Sequence, residues 1–532
     1  MAAYLSITLI VLAPVLLTSV GADDSYWILQ VAPASNGSYW HAVWDPLSQA
    51  FAFEGQPRTT ALAYSGRNLI SLLTTDLAIA FAIPPAVIWA AIKVSLIAID
   101  VVAVAVFLRQ LSFRDRDGRI RRLQPASIAF ITLSFPLTVA IAAKSQNVAN
   151  LNGWNFYPTL SYGPIAVYLL LAVLVLKSSA LLQRNYRIWA VPVIALMLVI
   201  ALALNLSYEL LALTIPLCVG LLILQPTPAG TTRWMRWRGK LTVLLALAGT
   251  YSAIFVWIRW RISEMACQAT NTCYAGSIPE LNAHTLWNNF FGAFPGGTGA
   301  FVSEQAGSVG REFPGINPGS LFLAVAGAAT LAGLWISWLG RRTAGSEAPL
   351  DKPTDSRDDV RGLLVVIVTG LVIAVGSAVI SGITANAVIQ VQTPMVSYRT
   401  SVVTWSALAL AGLAAVRLLT LVPLRPARLI APGILLLIIV TSVSLYFPRN
   451  VMSAQINRAE ARSESIDDIH WEIALGSTSA TGDARRCASI RAHRATYRQN
   501  FARFDRTVAA AYAAYAFYHH QPYCSTGEGL KK

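Results

Sequence analysis

The chain has 532 residues, 55% of them hydrophobic and only 13% charged, where a soluble protein carries about a quarter charged residues. Its apolar residues fall in blocks of about 18 to 25, the length that crosses roughly 30 Å of hydrocarbon, which excludes a soluble enzyme. The net charge of +15 does not point to nucleic acid, because the basic residues crowd short links between the apolar blocks.

The first block, from about Ala2 to Val20, reads as an uncleaved first helix. It has no basic leader, and Leu17 to Ala22 matches a cleavage site only loosely, so a cleaved signal peptide is the lesser alternative. An aromatic-rich loop, 21–66, follows. The second crossing lies within Ile83 to Leu108, with Asn68 to Ala82 as either its start or a separate interfacial helix. Further helices are expected at about 125–143, 163–182, 188–206, 208–226, 241–258, 319–339, 362–382, 400–420 and 428–446.

Arg114, Arg116, Arg119, Arg121 and Arg122 crowd one link, and Arg233, Arg236, Arg238 and Lys240 another. A third holds Arg341, Arg342, Lys352, Arg357 and Arg361. Short links rich in Lys and Arg stay in the cytoplasm. About eleven crossings of a plasma membrane, with a cytoplasmic N-terminus, satisfy all three. Segments 21–66, 144–162, the turn near 206, 259–318, 383–399 and the tail from 447 then lie outside. Residues 340–362 read as a flexible cytoplasmic linker. The expected fold is therefore an all-α integral membrane protein: a polytopic unit, 1–446, followed by a small helical extracytoplasmic domain, 447–532.

The cysteines agree with this topology. Cys218 falls inside a helix, whereas Cys267 and Cys273 share one outer segment and Cys487 and Cys524 the tail. Both pairs lie where disulfides persist, and no His–Cys spacing supports a zinc site. Along the tail, Ala488 to Tyr518 has neither Pro nor Gly, and Tyr497, Phe501, Phe504 and Val508 form one apolar stripe.

Polar groups at the outer helix ends are the candidates for chemistry. Asp23 and Asp24, followed by Ser25 and Tyr26, can share a proton, bind a divalent cation or act as a general base; the plain alternative is a solvated acidic cap. Arg67 enters an apolar stretch and needs an anionic partner, unless it snorkels to the interface. Trp154 and Tyr157, among amides, suit a carbohydrate or an interfacial aromatic belt. Tyr208 and Glu209 sit in a tight outer hairpin, and Arg399 starts a helix from outside, where it can bind a lipid phosphate or simply anchor. Asp76, Lys93 and Asp100 lie in or near the second crossing; Lys93 and Asp100, seven apart, suggest a buried structural pair. The histidines show no ligand spacing, and no nucleotide-binding loop or serine elbow is present.

In this order, a first helix, Asp23-Asp24 with an aromatic, Gly66-Arg67 about forty residues on, a Trp154-x-x-Tyr157 region, Ser207-x-Glu209 and an outer Arg399 resemble the GT-C superfamily of polytopic glycosyltransferases. The bacterial branch that includes the serotype-converting glucosyltransferases is the most similar. The resemblance spans roughly residues 1–450, and each motif is short; the segment Asn152 to Tyr157 departs from the branch's pattern, and the tail matches no known module. It implies a polyprenyl-phosphate sugar donor, a glycan or glycolipid acceptor and an outward-facing site. One aspartate would be the base, Arg67 and Arg399 would hold the donor phosphate or orient the carboxylates, and Tyr26, Trp154, Tyr157, Tyr208 and Glu209 would bind substrate. No metal is strictly required, and a single displacement would invert the anomeric centre. A transporter or flippase, or a polymerase or ligase of a lipid-linked glycan, is the alternative, with a non-catalytic scaffold behind both.

Overall fold

The computed structural model describes residues 22–52, 60–114, 120–142, 163–226, 233–264, 280–287, 354–383, 398–421, 433, 461–496 and 501–525. These are almost wholly helical. Three helices come first: α1 (Ala22–Ala34), α2 (Tyr39–Ala52) and α3 (Ala61–Phe81). Next come α4 (Pro85–Gln110), a two-stranded hairpin of β1 (Ser112–Arg114) and β2 (Ile120–Arg122), and α5 (Pro125–Ala142). Then follow α6 (Gly163–Arg184), α7 (Tyr186–Asn205), a 3₁₀ turn (Glu209–Leu213) and α8 (Thr214–Leu224). The helix α9 runs from Arg233–Leu244 through a π-helical turn, Leu245–Gly249, into Thr250–Ser263. The last five are α10 (Thr354–Gly382), α11 (Tyr398–Leu421), α12 (Ala461–Leu475), α13 (Ala480–Thr496) and α14 (Phe501–His519).

Six helical spans are long and apolar enough to cross a membrane, in α4, α6, α7, α9, α10 and α11; α5 and α8 carry shorter apolar stretches, 125–136 and 210–224. Val102, Val191, Val199 and Val368 are exposed on them, so the outer surface of the bundle suits lipid and not water. On α9, exposed Trp237 and Trp257 are twenty residues apart, roughly 30 Å of helix. That is the thickness of the hydrocarbon layer, with aromatic residues at each boundary. The chain is thus a multi-pass membrane protein. The expected crossings at 2–20 and 319–339 lie outside the described residues, as does that at 428–446 except for Gly433, which is helical.

Helices α10 and α11 form the tightest pair. Gly370 meets the carbonyl of Ala407, and Ala374, Ala378, Ala411 and Ala414 are buried along the seam. Small residues let membrane helices approach this closely. One end of the bundle is tied by Asp359, whose carboxylate accepts from the Gln124 N–H (2.8 Å) and the Ser127 hydroxyl (2.6 Å). The Arg417 Nε donates to the same Ser127 Oγ (2.9 Å). This corrects the expected flexible linker over its last part. Residues 354–362 are the first turns of α10, held there because Asp359 bonds to Gln124 and Ser127 at the start of α5 and is attracted by Arg417 of α11. The link after α4 and the start of α9 reach the same end, where Lys240 donates to the Gln225 carbonyl (2.6 Å).

At the other end one sequence expectation is corrected and one open alternative is decided. The outer segment 21–66 is not a loop: it holds α1, α2 and the first turn of α3. The stretch around Asn68 to Ala82 is a separate helix, not the start of the crossing. Ala82 takes the left-handed conformation (φ 48°), Ile83 N–H donates back to Ala78 (3.1 Å), and Pro84 prevents α3 from continuing. Pro85 then opens α4, where its missing N–H costs nothing. The expected helix 208–226 likewise begins as the 3₁₀ turn.

The tail is helical as expected, in α12, α13 and α14, and it does not own its core. Ile469, Ile473, Ile490, Val508, Ala511 and Tyr515 pack with Leu29 of α1, and Tyr26 and Ile79 lean on the same cluster. Of the expected stripe, Val508 is buried; Tyr497 and the side chains of Phe501 and Phe504 lie outside the described residues. The Cys487–Cys524 disulfide forms, with Cα atoms 5.1 Å apart. Cys267 and Cys273 lie outside the described residues, and Cys218 is a buried free thiol.

Candidate functional site

The platform made by α1, α2 and α3 is built from backbone-directed bonds. The Ser65 hydroxyl donates to the Val43 carbonyl (2.6 Å), the Asn68 amide to Ala42 (3.2 Å), and the Thr75 hydroxyl to Ile28 (3.0 Å). These bonds fix one face of α3 against α1 and α2, while Leu62, Leu69, Leu73 and Phe81 remain exposed on it.

Arg67 lies at the centre of this platform and is only 7% exposed. Its guanidinium stacks over the Trp27 ring, 3.5 Å from the centroid, and is 4.6 Å from the Tyr64 centroid. Its other described polar contact is a marginal 3.5 Å bond to Asn68 Oδ1, and its Nε has no hydrogen-bond partner among the described residues. A buried cation held by two aromatic faces keeps its planar donor fork available for an anion. Asp23 and Asp24 occupy the first turn of α1, four and three residues before Trp27. On a helix that spacing puts all three on neighbouring positions, within about 6 Å along the axis. The aspartate side chains themselves lie outside the described residues.

The remaining candidates divide. Leu62 N–H donates to the Leu206 carbonyl (2.9 Å), which sets the Tyr208–Glu209 hairpin against the first turn of α3, five residues from Arg67. Tyr208 is half-buried there; the Glu209 side chain is not among those described. Tyr26 packs edge-on against Trp27 (5.1 Å) and leans on the tail's core, so part of its surface is already committed. Arg399 is the second residue of α11, at the end opposite Arg417, with its side chain undescribed. Trp154 and Tyr157 lie outside the described residues. Within the bundle, the Asp100 carboxylate accepts from the Ala166 N–H (3.0 Å) near the start of α6, and Lys93 is wholly buried on the same helix.

Two parts of this region escape motif reading. Trp27 belongs to no motif, although its position one turn after Asp23 would mark it once α1 is taken as a helix. Asp76 joins the platform to the tail, accepting from the Tyr39 hydroxyl (2.7 Å) and the Tyr518 hydroxyl (2.6 Å). Burial, then the bond to Asp76, pushes the Tyr39 hydroxyl up to about 12, and the same two causes raise Tyr518. Both tyrosines therefore stay protonated donors. No group of three or more His, Cys, Asp or Glu side chains gathers as metal ligands among the described residues. A cavity of 320 Å³ lies at the opposite, arginine-rich end of the bundle. Compared with protein-family models, curated proteins and solved structures, the chain has no match.

Proposed function

We propose that the chain is a membrane glycosyltransferase that moves a sugar from a polyprenyl-phosphate carrier to a cell-envelope glycan or glycolipid on the outer face of the membrane. The observation that carries this reading is the aromatic cradle of Arg67, one wall of which, Trp27, stands one helical turn after Asp23 and Asp24 on α1. It supplies an anion handle, with two acidic positions on the helix that carries Trp27. About eleven crossings, a cytoplasmic N-terminus and an outer tail accompany the proposal, on the charge bias of the links.

The chemistry follows from the charges. One aspartate takes the proton of the acceptor hydroxyl as its oxygen attacks the anomeric carbon. The bond from that carbon to the phosphate oxygen breaks, and the electron pair leaves with the phosphate. Arg67, with Arg399 at the start of α11, stabilises the charge gathering there. Tyr208 and Glu209 would bind sugar hydroxyls, with Trp154 and Tyr157 as stacking surfaces. A divalent cation between the two carboxylates would be a variant of the same site.

The test is turnover of polyprenyl-phosphate hexoses and pentoses by the purified full chain. Asp23→Asn and Asp24→Asn keep size and hydrogen bonding, and the variant that loses the base should fall by about 100-fold or more with folding intact. Arg67→Met should abolish donor binding while the ring contacts survive as packing. A double Asp→Asn variant with full transfer activity would sink the reading. Donor crossing the bilayer unconsumed would favour the flippase instead.

A further inference from the structure

The 320 Å³ cavity at the arginine-rich end belongs to no part of that proposal. It lies between the end of α4, α6, the end of α8 and the first turns of α10. Its volume falls at the lower limit of ligand pockets, roughly 300 to 1,000 Å³. Most of the wall is apolar, including Leu176, Leu221, Leu224, Leu364 and Val365, while Gln110, Ser112, Gln225 and Arg361 supply its polar part. None of the described lining residues is acidic. Asp359, on the same turns of α10, accepts from Gln124, just before α5, and from Ser127 on α5.

The pocket is preformed. A Cβ at Gly362 would lie 2.6 Å from the Phe113 ring and 2.7 Å from Leu123, so the hairpin is clamped directly on α10. Its mouth is open to lipid, because Leu224 both lines the cavity and is exposed at the end of an apolar helix. An apolar chamber with a cationic rim, at the end of membrane helices, matches a molecule with a hydrocarbon chain and a negative head. A small inorganic anion would have no use for the leucines.

We infer that this cavity binds an anionic phospholipid from the surrounding leaflet. The acyl chain lies along Leu176, Leu221 and Leu364, and the phosphate faces Arg361 and the two glutamines. The purified full chain, exchanged into detergent with equal phosphatidylglycerol and phosphatidylcholine, is read by native mass spectrometry. Wild-type protein should retain phosphatidylglycerol about fivefold over phosphatidylcholine, the increment expected for one basic group at a headgroup. Arg361→Gln should erase the preference while lipid still binds. Val365→Trp, which fills the chamber, should lower retention of both lipids. Arg361 is exposed, so its variant folds and decides the matter if Val365→Trp does not. Equal retention of the two lipids by the wild type, an unchanged preference in Arg361→Gln, or displacement of lipid by inorganic phosphate would each overturn the inference.

Discussion

Gly370→Ala should open the α10–α11 seam. The new Cβ would stand 2.5 Å from the Ala407 carbonyl oxygen, 2.9 Å from the Ala411 Cβ and 3.0 Å from the Ala411 nitrogen. Ordinary contact begins near 3.4 Å. The overlap of about 0.9 Å falls on backbone, so it cannot be relieved by turning a side chain and one helix must shift. Overpacking of this kind costs typically 1 to 3 kcal/mol. Replacing a helical glycine by alanine returns about 0.5 to 1 kcal/mol. The net loss should be roughly 1 to 2 kcal/mol. Gly412, on α11, is the internal control, since nothing lies within 4 Å of its Cβ position. Gly412→Ala carries the helical gain without the clash and should be neutral to slightly stabilising. Both are read as thermal unfolding of the purified chain in one detergent. If the two variants unfold alike, the seam is not the close crossing described.

The Cys487–Cys524 bond closes a separation of 37 residues; the chain-entropy model gives about 4 kcal/mol for it. A Cys487→Ser, Cys524→Ser chain should show amide exchange in α12–α14 accelerated to match, and unchanged exchange would refute the bond's role. His493 is buried, and burial first, then the charge of His470, lowers its pKa to about 4 from the usual 6.5. The unfolded tail takes up a proton below pH 6.5 that the folded one refuses, so stability should fall by up to about 3 kcal/mol between pH 6.5 and 4, and be flat above. His493→Gln should remove most of that slope in protease-protection midpoints; an unaltered slope would assign it elsewhere. Asp76→Asn leaves one carbonyl oxygen for two tyrosine donors. It should loosen the tail from α3 by about 1 to 2 kcal/mol, seen as faster proteolysis of α14, and equal rates would mean the bridge contributes nothing.

The bundle was legible because its helices announce themselves by length and hydropathy. Ile83 to Leu108 becomes Pro85–Gln110, and 163–182 becomes Gly163–Arg184. The platform was not legible for the opposite reason. Pro33 and Pro46 stand inside α1 and α2, where local rules would end a helix, and tertiary cover overrides them. Arg67, Asn68 and Asp76 make α3 too polar for a crossing and too apolar for a loop. What resolves them is Trp27, Ala42 and Tyr518, partners that no window around residue 67 contains. The candidate site shares this split. Its acidic pair and its arginine can be read as motifs, whereas the rings that hold the arginine cannot. The linker misreading has the same origin, since Asp359 looks solvated until α5 and α11 are brought to it.

The bridge from Tyr518 to Asp76 spans 442 residues. A ribosome adding about 5 to 20 residues per second leaves Asp76 waiting roughly 20 to 90 s for that hydroxyl. Throughout that interval the bundle can assemble, yet Leu29, Tyr26 and Ile79 have no tail to cover them. Synthesis therefore passes through a long-lived stage in which the α1–α3 surface is open to other proteins. Only the last stretch of the chain closes it, so a nascent molecule truncated before α14 would display an unfinished face.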